Sequence, residues 1–144
     1  MSRTGYVTNN ANCPIIWCSK LQTEISLSTT ESEYIALSQS LRDVLPLMEI
    51  LKEIILPIPS DDKVPVVHCT IFEDNKGCID LVETPSMRPR TKHIALKYHH
   101  FRSSVKSGSV SIKYIETGDQ IADIFTKALN DPQFYKLRKE LNGW

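Results

Sequence analysis

Glu33, Asp74 and Asp123 are the residues of this 144-residue sequence whose settings suit chemistry. Glu33 falls in the first turn of a helix-forming run. Asp74 follows an apolar run of strand length, and Asp123 lies in the first turn of a second helical pattern that follows another strand pattern. Strand ends and helix starts are where an open α/β sheet gathers a site. Three or four carboxylates meeting there would hold hard divalent cations such as magnesium, which prefer oxygen ligands. Two such ions activate a water and stabilise the leaving oxygen of a phosphodiester. Taken singly, each acid also has a structural use: the helix dipole favours Glu33 and Asp123, and Asp74 suits a cap or turn.

The elements that must position these acids follow from the apolar periodicity. Over residues 28–56, Tyr34, Leu37, Leu41, Val44, Met48, Leu51 and Ile55 recur at three and four, which predicts one long helix with a continuous apolar face. Ser28, Thr29 and Thr30 offer capping hydroxyls, and Glu31 and Glu33 complement the positive end of the dipole. Pro46 is expected to kink or divide the helix near Leu45. Before it, residues 5–8 and 14–19 read as a hairpin joined by a polar loop of several residues. After it, residues 57–65 read as a surface loop and residues 66–72 as an inner strand, followed by a short helix with Cys78, Ile79, Leu81 and Val82.

A further helix is expected from Thr91 to about Gly108, with Ile94, Tyr98, Phe101 and Val105 on one face. Residues 109–115 alternate as a half-buried strand, with Val110, Ile112 and Tyr114 on one side. A helix over QIADIFTKAL opens at Asp119, and Asp131–Pro132 restarts the chain as a last helix over 131–142. The order predicts a single α/β domain with a mixed sheet.

Composition is that of an ordinary globular chain: 41% hydrophobic, 24% charged, with 17 basic and 17 acidic residues. Net charge therefore points to no particular partner. No apolar run approaches the about 20 residues of a membrane span, so no membrane association is expected, and the first residues lack the apolar segment of a secretory signal. Cys13, Cys18, Cys69 and Cys78 show no metal spacing and read as reduced, buried thiols of an intracellular protein. Trp17 and Tyr34 read as core residues.

Four segments together, STTESEYIAL, EDNKGCIDL, RPRTKHIALKYHHFR and YIETGDQIADIFTKAL, resemble the ribonuclease H domain of copia-type LTR retrotransposon Pol polyproteins. The resemblance extends over nearly the whole chain. It implies a ribonuclease H-like fold and hydrolysis of the RNA strand of an RNA–DNA hybrid with two magnesium ions during reverse transcription. The reverse transcriptase region of the same polyprotein would be a partner, and the setting would be cytoplasmic (within a virus-like particle) or nuclear. On this resemblance the catalytic and metal-holding acids are Glu33, Asp74 and Asp123. Glu31 competes with Glu33, from which it is turned about 200° around the helix axis. Glu73 would point to the opposite face from Asp74.

The family pattern opens with an Asp-bearing strand of the DADWAG type, just upstream of the SRTGYV-like segment. Residues 1–23 hold no Asp or Glu. The resemblance thus implies a chain lacking its first central strand and one metal-bridging carboxylate, with activity and independent folding impaired. A non-catalytic nucleic-acid-binding or relic module of the same fold is the alternative.

From Thr84 to Ile115 there is no acid, while Arg88, Arg90, Lys92, Lys97, Arg102, Lys106 and Lys113 accumulate beside His93, His99 and His100. Such a patch binds phosphate backbones without reading sequence. Asn75, Arg88, Arg90, Lys92, His93 and Lys127 are the candidate nucleic-acid contacts. The three histidines suit helix-surface or packing positions better than ligand roles, and their spacing gathers no metal-binding trio. Lys127 equally suits a solvated helix surface.

Overall fold

The computed structural model describes residues 2–55, 67–84 and 99–144. The chain opens with an antiparallel hairpin, β1 (Arg3–Asn10) and β2 (Cys13–Leu21). Both strands are longer than the sequence pattern suggests. Their loop is a two-residue turn, Ala11–Asn12, rather than several residues, and both turn residues have positive φ (50° and 62°). Two positive φ values match the right-handed twist of the flanking strands, and asparagine tolerates the left-handed region.

The helix α1 (Thr29–Ile55) carries the core. It runs unbroken through Pro46, so the proline does not divide it. Pro46 removes one backbone donor, while buried side chains before and after it, Val44 and Met48 among them, hold both halves against the same neighbours. Tyr34, Leu37, Leu41, Val44 and Met48 are buried as the periodicity requires; Leu51 and Ile55 near the end are half-buried. Ile35 and Ala36 are buried too. The apolar arc is wide because α1 touches β1 as well as α2 (Lys76–Glu83).

The strand β3 (Cys69–Glu73) pairs in parallel with β4 (Val110–Tyr114), with Ile71 opposite Ile112. Between α2 and β4 lies α3 (Arg102–Lys106). The helix expected to start at Thr91 is this short one among the described residues; residues 99–101 lie before its first turn, and 91–98 lie outside the described residues. Phe101, just before α3, is fully buried in the cluster formed by α1, α2 and β4.

The segment expected to be an α-helix from Asp119 onward is instead two short 3₁₀ turns, Thr117–Asp119 and Ile121–Phe125. Its bonds run from i+3 to i: Asp123 N–H donates to Gln120 O (3.1 Å) and Thr126 N–H to Asp123 O (3.1 Å). The tighter winding is set by packing on the hairpin. A Cβ at Gly5 would collide with Thr126 Cγ2 and stand 3.0 Å from Phe125 Cβ, so only glycine lets the turn lie this close to β1. Ser19 Oγ also donates to Phe125 O at 2.6 Å. The last helix, α4 (Asp131–Asn142), has the expected bounds. Asn130, not Asp131, is its cap, accepting from Gln133 N–H at 3.0 Å, and Pro132 lies in the first turn.

The domain is therefore α/β with both antiparallel and parallel pairing. Among the described residues the expected mixed sheet is two separate two-stranded pieces. A groove of about 510 Å³ separates them, lined by Tyr6 and Thr8 of β1, Leu37 and Val44 of α1, and Thr70 and Ile71 of β3. Tyr34 is in the core, but Trp17 is not: it is 63% exposed on the outer hairpin face. Of the four thiols only Cys78 is buried; Cys18 and Cys69 are half-buried and Cys13 is exposed, and all are unbridged. No helix among the described residues is long and apolar enough to cross a membrane.

Candidate active site

The site begins with the cap of α1. Ser28 Oγ accepts from Glu31 N–H (3.1 Å), and Glu31 Oε2 accepts from Leu27 N–H (2.7 Å). This is a capping-box arrangement reaching one residue further back than usual. Glu31 is thus committed to the helix start. Two residues on and around the axis, Glu33 faces the groove, whose lining also includes Asp74 and Asp123.

A second junction brings Asp74 to Glu33. Asn75 caps α2, its Oδ1 accepting from Cys78 N–H (3.0 Å) and from Thr30 Oγ1 in the first turn of α1 (3.4 Å). A Cβ at Gly77 would stand 2.9 Å from Thr30 Oγ1, so the close approach of α1 and α2 depends on that glycine. The Asn75 oxygen is consequently spent on the fold. The third acid, Asp123, is delivered by the second 3₁₀ turn and is only 8% exposed.

The ionisation of Glu33 reports how close these groups are. Burial raises its pKa first, the Asp74 charge raises it further, Lys127 opposes, and Asp123 adds to the rise. Lys127 is the local cation: its Nζ lies 2.9 Å from Asp123 Oδ2. Burial lowers its pKa, but the hydrogen bond and charge of Asp123, then Asp74 and Glu33, leave it raised.

Glu73 is the acid that reasoning from sequence undervalued. Cys69, Ile71 and Glu73 share the inward face of β3; the first two are half-buried against the core, and Glu73 is buried to 6% exposure. Its Oε1 accepts from Asn75 N–H at 3.0 Å. Burial, partly offset by that bond and reinforced by Glu33, Asp74 and Asp123, pushes its pKa up to about 7. Beneath it, burial and the charges of Glu73, Glu33 and Asp74 push the Cys78 thiol up, so Cys78 stays an inert core group.

A stability prediction follows from Glu73. Its pKa is higher in the folded protein (about 7) than the ordinary 4.5. The folded state therefore binds the proton more tightly, and the stabilisation is complete below pH 4.5 and lost as pH rises through 7. At about 1.4 kcal/mol per unit, this group alone lowers stability by roughly 3 kcal/mol between pH 4.5 and 8. Glu73→Gln keeps the acceptor for Asn75 and should flatten that decline. Urea unfolding of both proteins at pH 5 and pH 8 measures it, and an unchanged slope would show that Glu73 is ionised throughout.

The other candidates divide. Arg88, Arg90, Lys92 and His93 lie outside the described residues. Arg102 is not a free surface cation: its guanidinium donates to Leu81 O (2.6 Å) and Thr84 O (2.8 Å), closing the end of α2. His99 Nδ1 meets the Tyr34 hydroxyl at 2.6 Å and His100 Nδ1 lies 3.5 Å from Ser38 Oγ, so both histidines pack against α1.

The donor set Glu33, Asp74 and Asp123 is all carboxylate oxygen, which suits a hard dication; the pKa of Glu33 is raised first by burial and then by the negative charge of Asp74 and Asp123, and such an ion would relieve the second part. As they stand, no three His, Cys, Asp or Glu side chains among the described residues form a closed metal-holding group. One Asp123 oxygen is engaged by Lys127 instead.

Comparison with known proteins gives the ancestry. The chain is 32% identical over 141 residues, 98% of its length, to the retrovirus-related Pol polyprotein from transposon RE2 of Arabidopsis thaliana, and 31% identical over 141 residues to that from transposon RE1 of the same plant. It is 37% identical over 142 residues to the retrovirus-related Pol polyprotein from transposon TNT 1-94 of Nicotiana tabacum. The chain spans 9–10% of the length of these relatives. No family model matches it, and no solved structure does. It is homologous to a segment of retrotransposon Pol polyproteins.

Proposed function

We propose that this retroelement-derived segment is a ribonuclease H-type domain that hydrolyses the RNA strand of RNA–DNA hybrids. The observation that carries the reading is the meeting of Glu33, Asp74 and Asp123 on one groove, each delivered by a different element. Magnesium, held by these three acids, would supply an activated water and charge stabilisation for the leaving oxygen. The chain's own contribution is to orient the carboxylates: the Ser28–Glu31 cap sets Glu33, the Asn75 cap sets Asp74, and the turn on Gly5 sets Asp123. Hybrid backbone would be held by the basic stretch, through Arg88, Arg90, Lys92 and His93, with Asn75 and Lys127 nearer the acids.

The groove supports the idea of a further strand. β1 and β3 each use one edge among the described residues, and the groove between them is floored by the apolar face of α1. An upstream extended segment carrying an aspartate would pair with both edges and add a fourth carboxylate. Unpaired edges are a liability that sheets otherwise cover.

The open arrangement of the acids favours a second reading, a non-catalytic module that binds hybrid without cutting it. One experiment separates the two. A labelled RNA–DNA hybrid is incubated with magnesium and either this chain or the chain extended upstream by an Asp-bearing strand. Cleavage by the extended chain, with little by the chain alone, is the expected result. Magnesium-independent binding with no cleavage by either folded protein would overturn the nuclease in favour of the binding module.

A further inference from the structure

Asp123 and Lys127 are one helical turn apart in sequence, and their backbones are already joined by the Lys127 N–H to Asp123 O bond of 2.9 Å. The side-chain pair is lopsided: Asp123 is 11% exposed at its side chain and Lys127 49%. The carboxylate is thus a fixed, mostly desolvated group, while the ammonium sits on a flexible stem with water behind it. Glu33 and Asp74 both act on the same ammonium. A surface lysine paired at i,i+4 normally contributes little. Here it stands where three carboxylates would otherwise repel one another.

We propose that Lys127 is a resident counter-cation of the carboxylate cluster, occupying Asp123 until a divalent cation displaces it. This rests on the metal-holding reading above and deepens it. The lysine keeps the cluster folded without metal, makes metal binding an exchange of one cation for another, and is then free to turn to a phosphate oxygen through its flexible stem. Because the ammonium must leave Asp123 first, the metal is bound less tightly than the carboxylates alone would bind it.

The test uses magnesium itself, titrated calorimetrically into the full chain, together with thermal unfolding in chelator and in saturating magnesium. Lys127→Met should bind magnesium about fivefold more tightly than the wild type. In chelator it should unfold at lower temperature, and magnesium should restore more of its stability than of the wild type's. A double-mutant cycle with Asp123→Asn distinguishes displacement from simple repulsion. Coupling between positions 123 and 127 should be present in chelator and absent in magnesium. Coupling that persists in magnesium, or equal affinities for wild type and Lys127→Met, would overturn the exchange while leaving the metal site standing. If neither protein binds magnesium, and Glu33→Gln is indistinguishable from both, the metal-holding reading falls and the exchange falls with it.

Discussion

Phe101→Ala should destabilise the protein by about 3–5 kcal/mol, a large share of the roughly 5–15 kcal/mol that holds a domain of this size. Phe101 has no exposed surface and lies 5.5 Å, centroid to centroid, from Tyr34, which is equally buried. Tyr34 in turn meets His99 at 2.6 Å. The aromatic pair ties the segment before α3 to the first half of α1, close to the turn that presents Glu33. Removing the ring leaves a cavity among α1, α2 and β4 that neighbouring backbone cannot fill, because each is held by its own pairing. Chemical unfolding gives the number directly. Val105→Ala, at a half-buried position on the edge of the same cluster, should cost clearly less. Equal losses would mean that the cluster collapses as a unit and that Phe101 is no special anchor.

The second large effect concerns the acids. In the upstream-extended protein, Glu33→Gln, Asp74→Asn or Asp123→Asn should each lower the cleavage rate by about 10²- to 10⁴-fold, the scale of several kcal/mol of lost transition-state charge stabilisation. The three losses should not multiply, since groups that act as a unit fail together. Glu31→Gln is the informative control. Glu31 accepts from Leu27 N–H and lies in the cap of α1, so its loss should cost about 1 kcal/mol of stability with the rate per folded molecule unchanged. If Glu31→Gln abolishes cleavage and Glu33→Gln does not, the two acids have been assigned the wrong way round.

Much of this arrangement was legible from pattern alone. The spacing of Tyr34, Leu37, Leu41, Val44 and Met48 has no reading other than a helix with one buried face, and those five are buried. The alternation in β4 and the apolar run at β3 are equally direct, and the positions of Glu33 and Asp74 follow from them. What escaped did so for identifiable reasons. In Pro14–Cys18 every residue is apolar, so alternation cannot say which face is inward, and Trp17 falls on the outer one. The residues around Asp123 have a helical pattern, but their winding is decided by a neighbour more than a hundred residues earlier, where Gly5 lets the turn press onto β1. Glu73 escaped because an acid at a strand end reads as a turn residue, although counting two residues on from Ile71 puts it on the inward face. The single sheet was a matter of pairing partners, which periodicity does not register.

The dependence of Asp123 on the hairpin has a consequence for how the domain breathes. Glu33 is carried by α1 and Asp74 directly follows β3, both elements of the main core, whereas Asp123 rides on a turn clamped to β1 and β2 by Gly5 and Ser19. Local opening of the hairpin therefore dissolves the acid cluster at a free energy below that of global unfolding. Any ligand that draws the three acids together would, by mass action, slow amide hydrogen exchange in Arg3–Leu21, far along the chain from the acids themselves. The first strands of the protein thus act as a remote gauge of what is bound at its centre.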